Sequence, residues 1–473
     1  MSQGSAMQTI DQLRSGELAG SRHLKLSCGL THFPREIMSL ADTLEILDLS
    51  GNALSELPDD LARLSKLRIL FCSDNQFTVL PEVLGSCAEL SMIGFKANRI
   101  RKVSAQALPS PLRWLILTDN EIDVLPDEIG NCARLQKLML AGNNLHVLPE
   151  SLVNCKRLEL LRIAANRLNE LPLWLFALPR LSWLAYSGNP FAAQLENRML
   201  RTSSVDDIAW SSLELGQLLG EGASGFIHRA DYNTGDRCHG VAVKLFKGAV
   251  TSDGLPHSEM AAAIAAGQHP NLIRVLGRVS GHPSGVNGLV LELIDPDFRN
   301  LAGPPSFASC TRDIYPADAR FDLPVALQIA QGVASAARHL HHQGIMHGDL
   351  YGHNILHCGQ GRALLGDFGA ASCYAADKSA IAEGLERLEV RAFGCLLEEL
   401  VERCNPSSEA IGVLALLNDL KSACLSEESE SRPFFDEITE RLIEADSVLN
   451  SGERLEQRSE LSLLKRGEVV VSI

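Results

Sequence analysis

The sequence predicts two unlike parts: an α/β solenoid of stacked repeats over residues 21–191 and a two-lobed α+β domain over residues 212–446. The solenoid is indicated by a 23-residue pattern that recurs along the first half of the chain. The second part is indicated by a glycine-rich stretch, a lysine and several carboxylates that follow one another in a telling order. We expect a cap at 1–20, a cap and linker at 192–211, and a tail at 447–473.

Composition narrows the classes of function. The chain has 473 residues, enough for two to four domains, and a net charge of −15 that argues against a general nucleic-acid binder. Neither a secretory signal nor an apolar run of membrane-spanning length is visible, and the 12 cysteines lack the spacing of a zinc site. These features favour a cytoplasmic location and, weakly, a bacterial origin. They leave open that the protein is delivered into a host cell. The sequence does not indicate an oligomeric state.

Each repeat of the first half supplies a short strand and a turn. Copies begin at positions 44, 67, 90, 112, 135, 158 and 181, so the step is 23 residues with one step of 22. The pattern LxxLxLxxNxLxxLP directs leucines such as Leu47 and Leu49 inward, and one coil cannot bury them alone. We therefore expect the coils to stack into a curved solenoid. A recurring turn asparagine is expected to bond the backbone of neighbouring coils: Asn52, Asn75, Asn98, Asn120, Asn143 and Asn166.

This pattern resembles the leucine-rich repeat family. Cys87, Cys132 and Cys155 occupy matching places in three coils, and we interpret them as small buried residues rather than metal or redox groups. The strand positions between the leucines form the concave face, which we expect to bind a protein substrate or regulator because Trp and Arg are favoured at interfaces. An ordinary solvated face remains the alternative. These positions are Glu45, Asp48, Arg68, Phe71, Arg113, Trp114, Lys137, Met139, Arg162 and Trp183.

The second half opens with glycines in a strand–loop–strand setting. Gly220, Gly222 and Gly225 lie in "LLGEGASGFIHRA", and the apolar alternation continues into "GVAVKLF". Such a loop favours close approach of backbone to ATP phosphates, since a Cβ would collide there. Lys244 follows on the next strand, and Glu259 lies fifteen residues later on an alanine-rich helix. A pair between them would direct the ammonium at the phosphates.

A long amphipathic helix then leads into "IMHGDLYGHNIL" and "GRALLGDFGAAS". Asp349 and Asn354 are five residues apart on a predicted loop, and Asp367 follows in an Asp-Phe-Gly sequence. Each motif alone is modest evidence, but their order along the chain is highly specific. The region 212–445 resembles the protein kinase superfamily, so the whole chain resembles a leucine-rich repeat solenoid followed by a two-lobed protein kinase domain.

The resemblance implies ATP and Mg²⁺ as cofactors and assigns roles to individual residues. Asp349 would orient and accept the proton of the substrate hydroxyl, and His347 and Phe368 would belong to the apolar spine that joins the lobes. The implied catalytic residues are Asp349, Lys244, Glu259 and Asn354. The implied ATP contacts are Gly220, Glu221, Gly222, Gly225, Ile227, Ala242, Lys244, Glu292 and Leu356. The implied magnesium ligands are Asn354 and Asp367, whose oxygens suit that ion.

The chain departs from the family at several places. Gly348 replaces the arginine that usually precedes the catalytic aspartate, and the activation segment is very short. Counting back places the usual Ala-Pro-Glu near 375–377, and Arg432 would pair with its acid. From the missing arginine we predict that activity does not need phosphorylation of Ser372 or Tyr374. Tyr351 stands where serine/threonine kinases often have lysine.

We therefore expect an ATP- and Mg-dependent protein kinase, favouring Ser/Thr over Tyr or of dual specificity, whose repeats recruit a substrate or regulator. Two alternatives remain open at this point. "HGDLxxxN" is also typical of small-molecule phosphotransferases, and the departures leave room for a pseudokinase scaffold that acts through the repeats. The Pro-containing stretch 295–322 is expected near the hinge that accepts adenine.

Overall fold

The computed structural model describes residues 8–202, 205–222, 224–235, 237–248, 250–251, 253–405 and 411–467. Its first half is a solenoid whose strands, three residues each, form one parallel sheet in chain order. The eight strands are β1 (His23–Lys25), β2 (Ile46–Asp48), β3 (Ile69–Phe71), β4 (Met92–Gly94), β5 (Trp114–Ile116), β6 (Lys137–Met139), β7 (Leu160–Arg162) and β8 (Trp183–Ala185).

Stacking follows from the repeat. Leu24, Leu47 and Leu70 are register partners across β1, β2 and β3, and all three are fully buried. Burial of a leucine side chain contributes on the order of 1.5–3 kcal/mol, and each coil obtains it only from its neighbours. The convex side is closed by short 3₁₀ helices at Arg35–Leu40, Leu61–Arg63, Glu82–Ser86, Ala105–Ala107, Asp127–Asn131, Glu150–Asn154 and Leu173–Ala177.

The predicted asparagine ladder is present. Asn143 donates to Leu117 O of the preceding coil at 2.9 Å and accepts from Ile122 N at 3.1 Å. The turn asparagines at the other five predicted positions make the same two kinds of bond. Cys87, Cys132 and Cys155 are buried free thiols, as the sequence suggests, and burial raises the pKa of Cys155 to about 12. The asparagines thus bond adjacent coils to one another, and the thiols fill buried positions between coils.

Helices close the two ends of the solenoid. The helix α1 (Ile10–Arg14) begins at a capping box in which Thr9 accepts from Gln12 N. The helix α2 (Pro190–Thr202) begins at the last asparagine of the ladder, Asn189, whose backbone carbonyl accepts from Ala192 N. Residues 1–7 of the predicted N-terminal cap lie outside the described residues.

A six-stranded sheet forms the smaller lobe of the second half, with strand order β10-β11-β12-β14-β13-β9. Its first strand in sequence, β9, lies in the predicted linker and pairs in parallel with β13, so the linker is part of this sheet. The single α-helix described in the lobe, α3 (Pro256–Ala265), follows β12. The strands are β9 (Asp206–Ala209), β10 (Leu213–Glu221), β11 (Gly225–Asn233), β12 (Cys238–Phe246), β13 (Val275–Ser280) and β14 (Gly288–Glu292).

The larger lobe is mainly helical. Its helices are α4 (Leu323–His342), α5 (Ala380–Val401), α6 (Ile411–Cys424) and α7 (Phe435–Gly467). Short antiparallel pairs carry the loops of interest: β15 (Arg299–Asn300), β16 (Ile345–Met346), β17 (Ile355–His357), β18 (Ala363–Leu365) and β19 (Ser372–Cys373). The tail begins as a continuation of α7, and residues 468–473 lie outside the description. Within the described ranges, none of the helices has both the length and the apolarity to cross a membrane.

The solenoid packs directly on the second half. Met139, Leu160 and Trp183 of the concave face belong to the same buried core as the helical lobe. Conversely, Met346 and Leu385 of that lobe are buried in the core of the solenoid. The last coils and the helical lobe therefore share their hydrophobic cores.

The stretch 295–322 also touches the solenoid. It begins near the hinge, as expected, but extends to the concave face, where Phe307 contacts the rings of Phe71 and Trp114 at centroid distances of 5.6 and 6.3 Å. The expectation of a position near the hinge therefore covers only the beginning of this stretch.

Candidate active site

A buried ion pair links the lysine of β12 to the helix α3. Lys244 Nζ contacts Glu259 Oε1, and the same ammonium lies 3.7 Å from Asp367 Oδ1. Both paired side chains are almost entirely buried. Burial alone would lower the pKa of Lys244, but Glu259 and Asp367 outweigh it and raise that pKa, so the ammonium stays charged. The structure thus brings together three of the predicted site residues.

The glycine-rich loop joins β10 and β11, which matches the predicted strand–loop–strand setting. A Cβ atom at Gly220 or Gly222 would meet no atom within 4 Å, whereas at Gly225 it would lie 2.3 Å from Leu245 O. The first two glycines therefore border open space suited to phosphates, and Gly225 permits close packing of β11 on β12. Glu221 pairs with Lys247 at 2.8 Å.

Asp349 and Asn354 are joined by hydrogen bonds. Asn354 Nδ2 donates to Asp349 Oδ2 at 2.8 Å and to its backbone carbonyl at 2.9 Å. His347 accepts from Asp349 N at 3.3 Å through Nδ1, so its Nε2 is the atom that donates to Gly366 O at 2.9 Å. His347 is fully buried and its ring lies 5.5 Å from that of Phe368, which agrees with a structural role in the spine.

Asp367 has a backbone φ of 56°, a left-handed conformation that non-glycine residues rarely adopt. Strain of this kind persists where surrounding contacts impose it and is common at functional sites. Here it accompanies an exposed carboxylate, with 55% of the side chain accessible, that faces the ammonium of Lys244. An accessible carboxylate beside the lysine is a suitable ligand for a hard cation.

Three of the predicted adenine contacts lie on strands of the two lobes. Ala242 on β12 is buried, and Ile227 on β11 and Leu356 on β17 are half-buried. Glu292 ends β14 and its N–H donates to Arg274 O at 3.0 Å. It also borders a cavity of about 1050 Å³ behind the hinge, away from the catalytic loop.

A buried carboxylate supports the catalytic loop from below. Glu389 of α5 accepts from Gly348 N at 2.6 Å and from His347 N at 3.1 Å, and it contacts His341 Nε2 at 2.8 Å. Burial would raise the pKa of Glu389, but these partners lower it below its ordinary value. The loop therefore rests on a carboxylate that stays ionised.

Gly348 has a conformation that explains the absence of the usual arginine. Its φ is 73°, and a Cβ atom there would lie 2.5 Å from Leu184 O of the solenoid and 2.6 Å from Ala370 O. No L-residue with a side chain fits beside both carbonyls without displacement. The departure from the family pattern is thus coupled to the packing of the solenoid on this loop.

Arg162 lies on the concave face, as predicted, but sequence reasoning gave it no contact with the catalytic loop. Predicted to lie on an open concave face, it is 1% exposed and its guanidinium contacts Asp349 Oδ1. It also donates to Gly348 O at 3.1 Å and pairs with Asp253 of the smaller lobe at 2.6 Å. Burial would raise the pKa of Asp349, but Arg162 and His353 lower it. The available signal in the sequence was Gly348, which stands where the family usually has arginine. This glycine does not identify Arg162 as the side chain that contacts Asp349.

Two predictions concern the activation segment. Arg432 does not pair with the acid of 375–377, which corrects that expectation, because its guanidinium donates to carbonyls of Ser426, Arg387 and the solenoid's Pro179. Ser372 and Tyr374 are buried. Their hydroxyls contact Tyr186 N at 3.0 Å and His341 Nδ1 at 2.7 Å, respectively. This burial fits independence from phosphorylation, which stays a prediction.

Comparison with known proteins agrees with this geometry. Residues 213–393 match the model of the protein tyrosine and serine/threonine kinase family, and residues 43–64 and 110–168 match leucine rich repeat models. The chain is 32% identical over 182 residues to the cytokinesis protein sepH of Aspergillus terreus, covering 37% of this chain and 12% of that protein. It is 29% identical over 181 residues to a probable serine/threonine-protein kinase of Clostridium perfringens, covering 38% and 24%.

Among solved structures, a leucine-rich repeat protein of Leptospira interrogans aligns with a TM-score of 0.34 and 24% identity, over 39% of this chain and 53% of that one. The chain spans only a small part of the length of the curated relatives it matches. The chain therefore combines N-terminal leucine-rich repeats with a domain, at residues 213–393, of the protein tyrosine and serine/threonine kinase family.

Proposed function

We propose that this chain transfers the γ-phosphoryl group of ATP to a hydroxyl group of a protein, with Ser and Thr favoured over Tyr. The observation that carries the proposal is one cleft with two linked groups of residues. Lys244, Glu259 and Asp367 are in contact on one side, and Asp349 and Asn354 are hydrogen-bonded on the other. A pseudokinase would be expected to lack at least one of these side chains.

In the proposed reaction, the substrate hydroxyl oxygen attacks the γ-phosphorus and ADP leaves. Asp349 orients the hydroxyl and accepts its proton, while Lys244 and the glycine-rich loop hold the ATP phosphates. Catalysis of this kind depends on positioning and on neutralising charge, for which a buried, permanently charged ammonium is suited.

A divalent cation fits the same cleft. Asp367 offers an exposed carboxylate, and the Nδ2 of Asn354 is engaged by Asp349, which leaves its carbonyl oxygen as the remaining ligand atom. Carboxylate and amide oxygens with phosphate are the donor set that Mg²⁺ prefers. When bound, the ion would neutralise phosphate charge.

The solenoid is proposed to recruit a protein substrate or regulator through the part of its concave face that the kinase domain leaves uncovered. Asp48 ends β2, and Glu45 and Arg68 directly precede β2 and β3. In the described residues their ion pairs stay within the solenoid and none reaches the kinase domain. The later concave positions Met139, Arg162 and Trp183 are buried against the kinase domain and are not offered to a partner.

A small-molecule phosphotransferase is the second candidate. The observation in its favour is that the solenoid covers the surface beside Asp349 where a peptide would otherwise lie. Transfer of labelled phosphate to a small metabolite pool but to no protein would favour this candidate.

The test is a comparison of phosphorylated proteins in cells that express the full chain or its Asp349→Ala variant, together with transfer of labelled phosphate in vitro. We expect a discrete set of Ser and Thr sites that disappears with Asp349→Ala and with Lys244→Met. A pattern identical to that of Asp349→Ala, both for the wild-type chain and for a chain whose Arg162 contact on Asp349 is removed by Arg162→Ala, would contradict the proposal. Retained Mg-ATP binding without transfer would identify a nucleotide-binding scaffold instead.

A further inference from the structure

The carboxylate that should receive a substrate hydroxyl is already engaged. Asp349 Oδ2 accepts from Asn354, and Oδ1 contacts the guanidinium of Arg162 from the solenoid. A general base must come within about 2.6–3.2 Å of the hydroxyl it serves. The guanidinium stands within hydrogen-bond reach of that carboxylate, so a hydroxyl competes with it for the same place.

The neighbouring residues of the catalytic loop are covered by the same coils. The ring of Trp183 stacks on Tyr351 with a centroid distance of 4.3 Å and an angle of 7°, and its Nε1 donates to Leu350 O at 3.2 Å. Further along, Tyr186 N donates to Ser372 Oγ at 3.0 Å in the activation segment. The covered surface thus runs from the catalytic aspartate to the segment where a protein substrate would lie.

The nucleotide side of the cleft is open by comparison. Asp367 is 55% exposed as a side chain, whereas Asp349 is 19% exposed, and space surrounds Gly220 and Gly222. The solenoid even supports that side, because Glu196 of α2 accepts from Ser258 of α3 at 2.8 Å, one residue before Glu259. The docked solenoid therefore leaves the nucleotide site formed and covers only the acceptor side.

We propose that the solenoid is an autoinhibitory element in which Arg162 occupies the place of the substrate hydroxyl at Asp349. The docked state binds Mg-ATP but does not admit a protein acceptor, and phosphorylation requires the last coils to move off the catalytic loop. This inference rests on the proposed kinase activity and adds its regulation.

Charge explains why Arg162 controls this state. Its single positive charge lies between Asp349 of the larger lobe and Asp253 of the smaller lobe, and all three groups are largely buried. Removing the guanidinium deletes the one cation that contacts both carboxylates, and breaking a buried ion pair on one side strongly destabilises the arrangement. The Arg162→Ala variant should therefore shift the chain toward the open state.

The experiment uses the full chain and measures two quantities for wild type, Arg162→Ala and a matched control. Calorimetry measures Mg-ATP binding, and labelled ATP measures initial rates of transfer to casein as a generic acceptor. The control is Arg101→Ala, because Arg101 is an exposed solenoid arginine whose ion pair, with Glu121 at 2.7 Å, stays inside the solenoid. A second variant, Trp183→Ala, uncovers the catalytic loop while leaving the positive charge of Arg162 beside Asp349 in place.

We expect Arg162→Ala and Trp183→Ala each to raise the transfer rate at least tenfold over wild type and Arg101→Ala. Mg-ATP affinity should fall by no more than a few-fold, the loss expected if the bond between Glu196 and Ser258 is broken, and adding Asp349→Ala should abolish the gain. If wild type is active and both variants transfer at its rate or slower, Arg162 is not inhibitory and the inference fails while the kinase proposal stands. If no variant transfers phosphate although all bind Mg-ATP, the kinase proposal fails and the inference with it.

Discussion

Replacement of Trp183 by alanine should separate the solenoid from the kinase domain more than it disturbs either one. Trp183 is 1% exposed, yet it points from the concave face, so its burial depends on the docked domain. Truncating a buried Trp costs about 3–5 kcal/mol. This cost includes the loss of stacking on Tyr351 and of the hydrogen bond to Leu350 O. The loss destabilises the docked state and lowers the equilibrium constant for docking by a factor of roughly 10²–10⁴.

Amide hydrogen exchange of the full chain measures this shift. Segments 183–187 and 347–354 should exchange faster in Trp183→Ala, while β12 should change little. Leu47→Ala serves as the control, because Leu47 is fully buried inside an early coil and its loss of about 2–5 kcal/mol stays within the solenoid. Wild-type exchange at 347–354 in Trp183→Ala, alongside an ordinary loss of thermal stability, would refute the reasoning.

Three further predictions follow from single contacts. Gly348→Ala should lower the unfolding free energy by at least about 1–2 kcal/mol, because φ is 73° and the added Cβ would lie 2.5 Å from Leu184 O. In denaturant melts the control Gly359→Ala should show almost no loss, because its added Cβ meets no atom within 4 Å. Glu196→Ala should raise the KM for ATP a few-fold by releasing Ser258 on α3, and an unchanged KM would remove this support role. Burial lowers the pKa of His353, but Asp313, 2.7 Å from Nδ1, outweighs it and raises that pKa. Stability from this pair should thus be complete below about pH 6.5 and lost as pH rises through the raised pKa; a denaturation series should show this loss in wild type and not in Asp313→Asn.

The repeats could be predicted in detail because each coil encodes itself. A leucine such as Leu47 and an asparagine such as Asn143 meet partners one repeat away, so the period alone specifies strand register and the ladder. The order of the kinase motifs was similarly informative, because Lys244 and Glu259 are close in sequence and were expected to pair.

What the sequence could not show is the packing between the two halves. Arg162 and Asp349 are 187 residues apart, and a concave arginine looks the same whether solvent or a second domain covers it. The partner of Arg432 was predicted wrongly for the same reason, because Arg432 donates to Pro179 O of the solenoid rather than to an acid of the activation segment. Gly348 was the sequence feature that pointed to the contact between the solenoid and the catalytic loop, because it is a glycine where the family has a large side chain.

The most direct measurement of the central claim is a calorimetric titration of the full chain with ATP in the presence and absence of Mg²⁺. The account predicts one site per chain, loss of binding when the metal is chelated, and at least tenfold weaker binding in Lys244→Met, because the charged ammonium beside Asp367 is the cation that meets the phosphates. Absence of magnesium-dependent ATP binding to the wild-type chain would contradict it.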